Sequence, residues 1–289
     1  MLKSILFYLF VFVASSTSLA QNIDSLTVVD AKWAKHKIAP KTKLVTHHFS
    51  QKNLFLANQY VAYIEVANHK KAPLFAIGAD AAALKTTQTF GNEANALAAV
   101  SGTFFDVKNG GSVDFVKVDG AIINTNRFEK NNNRARHQRA AIVIENGKLT
   151  IKKWDGTVDW EQRLTEKNVM NSGPLLLYNN INEDLDTTAF NKLRHSRSVI
   201  GLKADGTVLL LTVDGRQEKS AGMSLFELTK LMKWLGCTSA INLDGGGSTT
   251  LWMAEAPENG VVNFPSDNKK WDHEGTRKVA NVILLKKKQ

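Results

Sequence analysis

A run of three glycines carries the strongest chemical signal in this sequence. It lies in Asn242-Leu243-Asp244-Gly245-Gly246-Gly247-Ser248, directly after a short apolar segment typical of a buried strand. A tight turn needs one glycine and occasionally two, so turn formation alone does not explain three. Consecutive glycines let the backbone approach a ligand closely and point several N–H groups into one concavity, which is how anions are held. The segment predicts an anion-binding loop with a carboxylate at its edge.

Two common nucleotide-binding motifs do not fit this loop. A Walker loop has a lysine after its last glycine, and none follows Gly247. A Rossmann fingerprint has a different glycine spacing and opens a helix. The loop therefore predicts an anion site of another kind.

Four other polar junctions adjoin apolar strands. Asp214-Gly215-Arg216 follows the strand Val208–Val213 and offers a carboxylate for proton transfer beside a guanidinium for a phosphate or carboxylate. The others are Arg194–Ser198, Ser101–Asp106 and Asn171–Leu176. Because each adjoins a strand, all five junctions can converge on one end of a sheet.

The elements that must position these junctions are mostly strands. Asp-Gly and Asn-Gly pairs favour two-residue turns, and three such turns are flanked by apolar segments suited to antiparallel pairing. The flanks are Val113–Val118 with Ala121–Asn124, Ala141–Ile144 with Leu149–Ile151, and Ser198–Leu202 with Val208–Val213. Further strands are predicted at Tyr60–Val66, Pro73–Ile77, Ala240–Leu243, Thr249–Met253 and Val279–Leu285.

Helices are fewer. Ser224 and Glu227 form a capping box at the start of a helix that runs to Leu235, and Gly236 suits its C-terminal end. Asn92–Ala99 is predicted as a short helix that leads into a strand. Many hairpins and few helices indicate a single α+β domain with an antiparallel or mixed β-sheet core.

The N-terminus has the pattern of an export signal. Lys3 precedes the apolar run Ile5–Ala14, and Ser18-Leu19-Ala20 is a small-x-small cleavage site. We therefore expect a signal peptide over residues 1–20, a polar leader over 21–46 and the main domain over 47–289. Cleavage near Ala20 predicts a periplasmic or secreted protein without a membrane span.

Charge and cysteine content narrow the partners. The formal net charge is +10, and a basic protein outside the cytoplasm attracts acidic or phosphorylated glycans. The basic segment Arg134–Arg139 lacks the interleaved aromatic residues of a nucleic-acid site and follows the loop Asn131–Asn133, so we predict a solvated or glycan-facing loop. The single cysteine, Cys237, is predicted to be a small buried side chain.

The histidines His47, His48, His69 and His273 are not spaced like metal ligands, either with each other or with cysteine. A Mg²⁺ or Ca²⁺ site built from carboxylates at several of the junctions stays open as an alternative.

Taken in order, these motifs resemble the phosphodiester glycosidase family. The resemblance spans roughly Ala57 to Leu285 and is strongest in R-S-V-I-G-L from Arg197, then T-V-D-G-R, the capped helix, and A-I-N-L-D-G-G-G-S-T-T-L. The family's best-known member removes N-acetylglucosamine from a phosphodiester, and some bacterial relatives are labelled exopolysaccharide-related. The family usually has asparagine where this chain has Ser101, a departure that bears on substrate preference.

The resemblance implies a secreted hydrolase that cleaves the glycosidic bond of a sugar-1-phosphodiester and releases a sugar and a phosphomonoester. It implies catalytic carboxylates at Asp106, Asp214 and Asp244, one of which would be a base for water or a nucleophile. The substrate-binding set that goes with them contains Arg197, Arg216, Asn242, Gly245, Gly246, Gly247, Ser248, Ser172 and Gly173. The expected partner is a phosphorylated sugar or glycan rather than nucleic acid, and no cofactor is required.

Two alternatives remain open at this stage. One is a non-catalytic binding protein for phosphorylated or acidic glycans. The other is a metal-dependent phosphodiesterase that cleaves the P–O bond, which a chelator would inactivate.

Overall fold

Antiparallel strands supply the framework of residues 23–288, the part of the chain that the computed structural model describes. The strands are β1 (Ala34–Ala39), β2 (Thr42–Leu54), β3 (Ala57–Val66), β4 (Leu74–Ala79), β5 (Ala96–Ser101), β6 (Val116–Val118), β7 (Ala121–Asn124), β8 (Ala140–Glu145), β9 (Lys148–Lys153), β10 (Asn168–Asn171), β11 (Leu175–Tyr178), β12 (Ile181–Asn182), β13 (Arg197–Lys203), β14 (Val208–Val213), β15 (Cys237–Asn242), β16 (Leu251–Met253) and β17 (Asn281–Lys286). The helices are α1 (23–29), α2 (Thr87–Glu93), α3 (Ala189–Lys192) and α4 (Leu225–Trp234).

These strands form three sheets. The largest has eight strands in the order β1-β2-β3-β14-β13-β15-β11-β12. A five-stranded sheet has the order β7-β6-β10-β8-β9, and a four-stranded sheet has the order β16-β5-β17-β4. The predicted α+β fold around antiparallel sheet is confirmed.

The central strands of the eight-stranded sheet are buried on both faces. Along β14, Val208 and Leu210 join a core shared with the two smaller sheets, while Leu209 and Leu211 join a second core under α4. Side chains of a strand alternate between faces, so a strand covered on both sides must be apolar throughout. This explains why the sequence of β14 is a continuous apolar run. The strand that leads to Asp214 is therefore rigidly held.

The predicted hairpins and the long helix are confirmed. β6 pairs with β7, β8 with β9 and β13 with β14, each across its Asp-Gly or Asn-Gly turn. Ser224 Oγ accepts the N–H of Glu227 at the start of α4, and Gly236 has a φ of +83° just after its end. Cys237 is buried as predicted.

The helix predicted at Asn92–Ala99 is wrong in its position. α2 lies earlier, where Thr86 Oγ1 accepts the N–H of Thr89, and Asn95 leaves helical geometry with a φ of +49°. The alanines that suggested a helix are buried in β5 between β16 and β17. Small side chains there serve close sheet packing, which outweighs their helix propensity.

The N-terminal part of the described chain contributes to the large sheet. β1 and the start of β2 come from the segment assigned to a polar leader, and the predicted boundary at residue 47 falls within β2. The predicted signal peptide, residues 1–20, lies outside the described residues. None of the helices in residues 23–288 is long and apolar enough to cross a membrane.

Candidate active site

The five polar junctions meet at one end of the eight-stranded sheet. The N–H of Asp244 donates to Gly102 O at 2.9 Å, which joins the glycine loop to the end of β5. The N–H of Gly246 donates to Ser196 O at 2.8 Å, which joins the same loop to the start of β13. A Cβ on Gly215 would lie 2.5 Å from Ser196 N, so the Asp-Gly-Arg junction lies against the same backbone.

Asn242 joins the remaining junction to the loop. Its Nδ2 donates to Gly173 O at 2.9 Å, and Ser172 Oγ donates to the carbonyl of Asn242 at 3.1 Å. Ser172 and Asn242 are fully buried. Both side chains fix the backbone of β15 and of the segment before β11, so they support the glycine loop that follows β15.

Gly245 and Gly246 permit two close approaches. A Cβ on Gly245 would lie 2.7 Å from Ser196 O, and a Cβ on Gly246 would lie 2.9 Å from Arg216 Nη2. Gly246 also has a φ of +62°, which residues with a Cβ rarely adopt. The Arg216 guanidinium therefore rests directly on the backbone of the glycine loop.

Gly247 permits a third approach, by a residue that the sequence analysis missed. A Cβ there would clash with Asp267 Oδ1 and with the guanidinium of Arg277. Arg277 Nε donates to Asp267 Oδ1 at 3.1 Å, and both side chains are partly exposed. Arg277 lies thirty positions after Gly247, so only the folded chain reveals it as part of the loop's surroundings.

The N–H groups of the loop are largely used inside the protein. Gly245 N–H donates to Asp244 Oδ1, Gly246 N–H to Ser196 O, and Ser248 N–H to Gly245 O. The loop therefore differs from the expected cradle of N–H groups. Its net positive charge comes instead from the Arg216 guanidinium, because the neighbouring Arg277 is paired with Asp267.

Arg216 is exposed, and its Nη2 lies 3.2 Å from His195 Nδ1. Burial lowers the pKa of His195, and the neighbouring charges of Arg197 and Arg216 lower it further. A neutral imidazole does not compensate a guanidinium, so Arg216 keeps its positive charge for an anion.

Asp244 is a half-buried carboxyl at the edge of the loop. Burial raises its pKa to about 6, against the N–H of Gly245 and the charge of Arg277, which lower it. The charge of Asp114 adds to the rise. A carboxyl group with such a pKa can exchange protons near neutral pH.

His137 and Asp114 form a pair that the sequence analysis also missed. His137 Nε2 lies 3.1 Å from Asp114 Oδ1, and Thr103 Oγ1 donates to Asp114 Oδ2 at 2.6 Å. Burial lowers the pKa of His137, but the Asp114 carboxylate outweighs burial, and the net pKa is raised, with a contribution from the charge of Asp244. His137, in the segment predicted to be a solvated loop, thus interacts electrostatically with Asp244.

His137 opens into a cleft of about 800 Å³. Phe104 lies 4.8 Å from the imidazole between ring centres, and Phe190 lies 6.0 Å from Phe104. A cleft of this size with aromatic walls and a few polar groups is typical of a small-molecule site.

Arg197 is a buried support of this cleft. It is 1% exposed, its Nε donates to Met223 O at 2.9 Å, and its Nη2 donates to Phe190 O at 2.7 Å and to Leu193 O at 3.0 Å. The guanidinium also lies 4.9 Å from the Phe190 ring centre. Arg197 thus holds the aromatic wall against β13.

Asp214 is fully buried just after β14. Its Oδ1 accepts from Asn263 Nδ2 at 2.7 Å and its Oδ2 accepts the N–H of Phe264 at 2.8 Å. Burial raises its pKa to about 7, and these two donors oppose the rise. The carboxyl fastens the segment that leads to Asp267 and Arg277.

Asp106 lies in an exposed loop. It accepts from the backbone N–H groups of Lys108 and Asn109, and it pairs with Arg127 at 2.6 Å. Hydrogen bonds from Asn109 and Arg127 hold its pKa well below the usual range. Its carboxylate stabilises this loop, and it does not line the His137 cleft.

Two further positions complete the placement of the candidates. Ser248 is buried, and its side chain lies against Asp244 and lowers the pKa of that carboxyl. Ser101 is buried, and its Oγ lies 3.1 Å from Ser198 Oγ. Across the same range, no three His, Cys, Asp or Glu side chains cluster closely enough to hold a metal ion.

Comparisons with known proteins agree with this fold. A family model for phosphodiester glycosidase matches residues 94–286. The catalytic domain of zebrafish N-acetylglucosamine-1-phosphodiester alpha-N-acetylglucosaminidase, auto-inhibited by its pro-peptide, has a similar structure, with a TM-score of 0.65 at 20% identity over 88% of this chain and 86% of that chain. A protein from Synechocystis has a TM-score of 0.62 at 14% identity, over 88% of this chain and 64% of that one.

Curated relatives match over shorter segments. SPbeta prophage-derived protein YomE of Bacillus subtilis (strain 168) is 40% identical over 83 residues, which is 29% of this chain and 12% of that protein. N-acetylglucosamine-1-phosphodiester alpha-N-acetylglucosaminidase of Mus musculus is 32% identical over 90 residues, which is 30% of this chain and 16% of that protein. The matched segments thus span less than a fifth of these relatives. The family model, in contrast, covers about two thirds of this chain, from before β5 to the end of β17. The chain belongs to the phosphodiester glycosidase family.

Proposed function

We propose that this protein is an exported hydrolase that cleaves the bond between the anomeric carbon of a sugar and the oxygen of a phosphodiester in a glycan or exopolysaccharide. The products are a free sugar and a phosphomonoester. Family membership supports the reaction type, and the N-terminal sequence pattern supports export.

The observation that carries the proposal is the placement of opposite charges around the glycine loop. Arg216 rests on Gly246 and Arg277 rests on Gly247, while Asp244 occupies the edge of the same loop. The Arg216 guanidinium suits a phosphodiester and would stabilise the charge that grows on the departing phosphate, while Arg277 shares its charge with Asp267.

Asp244 and His137 divide the proton transfers. The Asp244 carboxylate accepts a proton from water as the water oxygen bonds to the anomeric carbon. The bond from that carbon to the phosphate oxygen breaks, and its electron pair leaves with the phosphate. His137, kept protonated by Asp114, donates its proton to the departing oxygen.

The buried candidates act through the residues that touch substrate. Asp214 and Arg197 have their polar atoms bound to protein groups, so we assign them to positioning, as we do Asn242, Ser172 and Gly173. Ser248 has a buried hydroxyl next to the Asp244 carboxyl, so we assign it to orienting that carboxyl. The reaction as written requires no cofactor.

Hydrolysis in ¹⁸O-water of a panel of sugar-1-phosphodiesters tests the proposal. Glycosidic cleavage places the heavy oxygen on the sugar, and cleavage of the P–O bond places it on phosphate. We expect labelled sugar, unlabelled phosphomonoester and no effect of a chelator. Labelled phosphate that disappears with chelator would establish the metal-dependent phosphodiesterase, and binding without turnover across the panel would establish the binding protein.

A further inference from the structure

The cleft that holds His137 extends from Phe104 and Phe190 toward Arg139 and Trp154. Its far end is lined by Arg139 and Trp154, and these two residues with Arg136 and Pro174 also line a neighbouring cavity of about 300 Å³. The shared residues make one groove of the two cavities. A single sugar ring beside His137 leaves the far end of this groove unfilled.

Most cations of the groove have an acidic partner. Arg136 Nε lies 3.0 Å from Asp186 Oδ2, and Lys153 Nζ lies 2.7 Å from Glu183 Oε1. The third pair, between Arg134 and Glu161, is buried and tied to the core of the smaller sheet. These pairs leave little net charge at their own positions, and the carboxylates of Glu129 and Asp184 also line the groove.

Arg139 differs from its neighbours. It is exposed, and the ion pairs formed within residues 23–288 do not include it. Its Nη2 donates to Arg134 O at 3.4 Å, and its guanidinium lies 5.7 Å from the centre of the Trp154 ring. The backbone below it is fixed, because Trp154 N–H donates to Arg139 O at 2.9 Å. A cation held in place without a carboxylate partner is suited to bind an acidic group.

The walls on the way from His137 to Arg139 suit sugar rings. Phe190 is 39% exposed although Arg197 holds it from behind, and Phe104 is also partly exposed. Aromatic surfaces of this kind bury the apolar faces of a ligand while polar groups at the rim fix its orientation.

We propose that this groove binds an anionic oligosaccharide, with a carboxylate or phosphate several bonds from the reacting phosphodiester paired to Arg139. The inference rests on the proposed function for the direction in which the oligosaccharide binds, since its reacting end lies at His137. It assigns this protein an acidic polymer as substrate rather than an isolated sugar phosphodiester.

Calorimetric binding of three uncleavable probes tests the groove directly. The probes are an oligogalacturonate, a short poly(glycerol phosphate) and neutral maltohexaose. We expect at least one acidic probe to bind more tightly than maltohexaose, and Arg139→Gln to weaken that probe about tenfold, the loss typical of one charged hydrogen bond. The probe that responds distinguishes carboxylate from phosphate.

Two variants separate a lost charge from a damaged fold. Arg139→Lys keeps the charge and should restore a large part of the binding, while Lys148→Gln removes an exposed cation outside the groove and should leave binding unchanged. Equal binding of all three probes, or unchanged binding in Arg139→Gln, would overturn the proposal.

Turnover of a small sugar-1-phenylphosphodiester distinguishes this proposal from the proposed function. Arg139→Gln should hydrolyse it at the native rate, because the small substrate does not reach Arg139. If the native protein binds the acidic probe through Arg139 but hydrolyses no phosphodiester, the groove stands and the proposed function fails.

Discussion

Nε2 of His137 lies 3.1 Å from Oδ1 of Asp114, a carboxylate that is itself fully buried and held by Thr103. This contact sets the Nε2 side of the imidazole against Asp114, and the Asp114 charge raises the pKa of the ring. A buried carboxylate behind a histidine orients the ring and stabilises its protonated form. The pair therefore prepares an acid at the wall of the cleft.

His137→Gln should lower kcat on a sugar-1-phosphodiester by about 10²-fold to 10⁴-fold, because it removes the proton that the leaving oxygen receives. Steady-state kinetics against a panel of leaving groups checks this, and the loss should shrink as the phosphate becomes a better leaving group. The matched control is His36→Gln, which changes an exposed histidine in β1 and should have native kinetics. A native rate in His137→Gln would remove His137 from the mechanism.

Asp114→Asn should move the alkaline limb of the rate profile to lower pH. The Asp114 carboxylate raises the pKa of His137 above its ordinary 6.5, so the protonated acid persists to higher pH in the native protein. Without that charge the imidazole loses its proton earlier, and activity falls at a lower pH. The pH dependence of kcat for both proteins measures the shift, and an unmoved limb would show that Asp114 does not act through His137.

The acid limb should belong to Asp244. Burial raises its pKa to about 6, and the proposed base must be deprotonated, so activity should rise with pH through about 6. Asp244→Asn should abolish that limb and lower kcat by about 10³-fold. The control is Asp30→Asn, which changes an exposed carboxylate distant in sequence from Asp244. Retention of the limb in Asp244→Asn would assign it to another group.

Local sequence signals predicted much of the fold. Turn pairs such as Asp119-Gly120 and Asn146-Gly147 act within a few residues, and so does the capping box of α4, so each is visible in a short window. The short helix was predicted too late in the chain because the alanines of β5 have a high helix propensity, which sheet packing overrides.

The site was harder to predict than the fold. The glycine loop and its neighbours were visible because they adjoin apolar strands. His137, Asp114 and Arg277 were missed because their contacts join distant segments and depend on how the sheets pack. The anion site differs from the predicted cradle of N–H groups for the same reason. A run of glycines indicates that another group packs closely against the backbone, but it does not indicate that this group is a guanidinium.

Gly246→Ala and Gly247→Ala should each lower kcat/KM by about tenfold or more. A methyl group at Gly246 displaces Arg216 and strains a φ of +62°, and one at Gly247 displaces Arg277. Small misplacements of groups that hold the reacting phosphate cause losses of this size. Gly156→Ala is the control, because Gly156 has a φ of +91° but no atom within 4 Å of an added Cβ. It should lower stability without lowering kcat/KM, whereas equal kinetic losses in all three variants would indicate a general folding defect.

Asp214→Asn separates positioning from catalysis. Since Asp214 is buried and bound by Asn263 and Phe264, we expect the variant to keep activity within about tenfold of native, whereas loss of a general base costs about 10³-fold. Its stability should depend on pH in a particular direction. The folded-state pKa of about 7 lies above the ordinary aspartate value of 3.8, so ionisation destabilises the native protein as the pH rises between these values. Asn cannot ionise, so the variant does not share this loss of stability. The free energy of unfolding of the variant minus that of the native protein should therefore increase by at least about 1.4 kcal/mol from pH 4 to pH 8, the value of one pKa unit. Denaturant unfolding of both proteins across that range measures the difference. A constant difference would mean that Asp214 is ionised at every pH tested, and a thousandfold loss of activity at unchanged stability would return Asp214 to the chemical step.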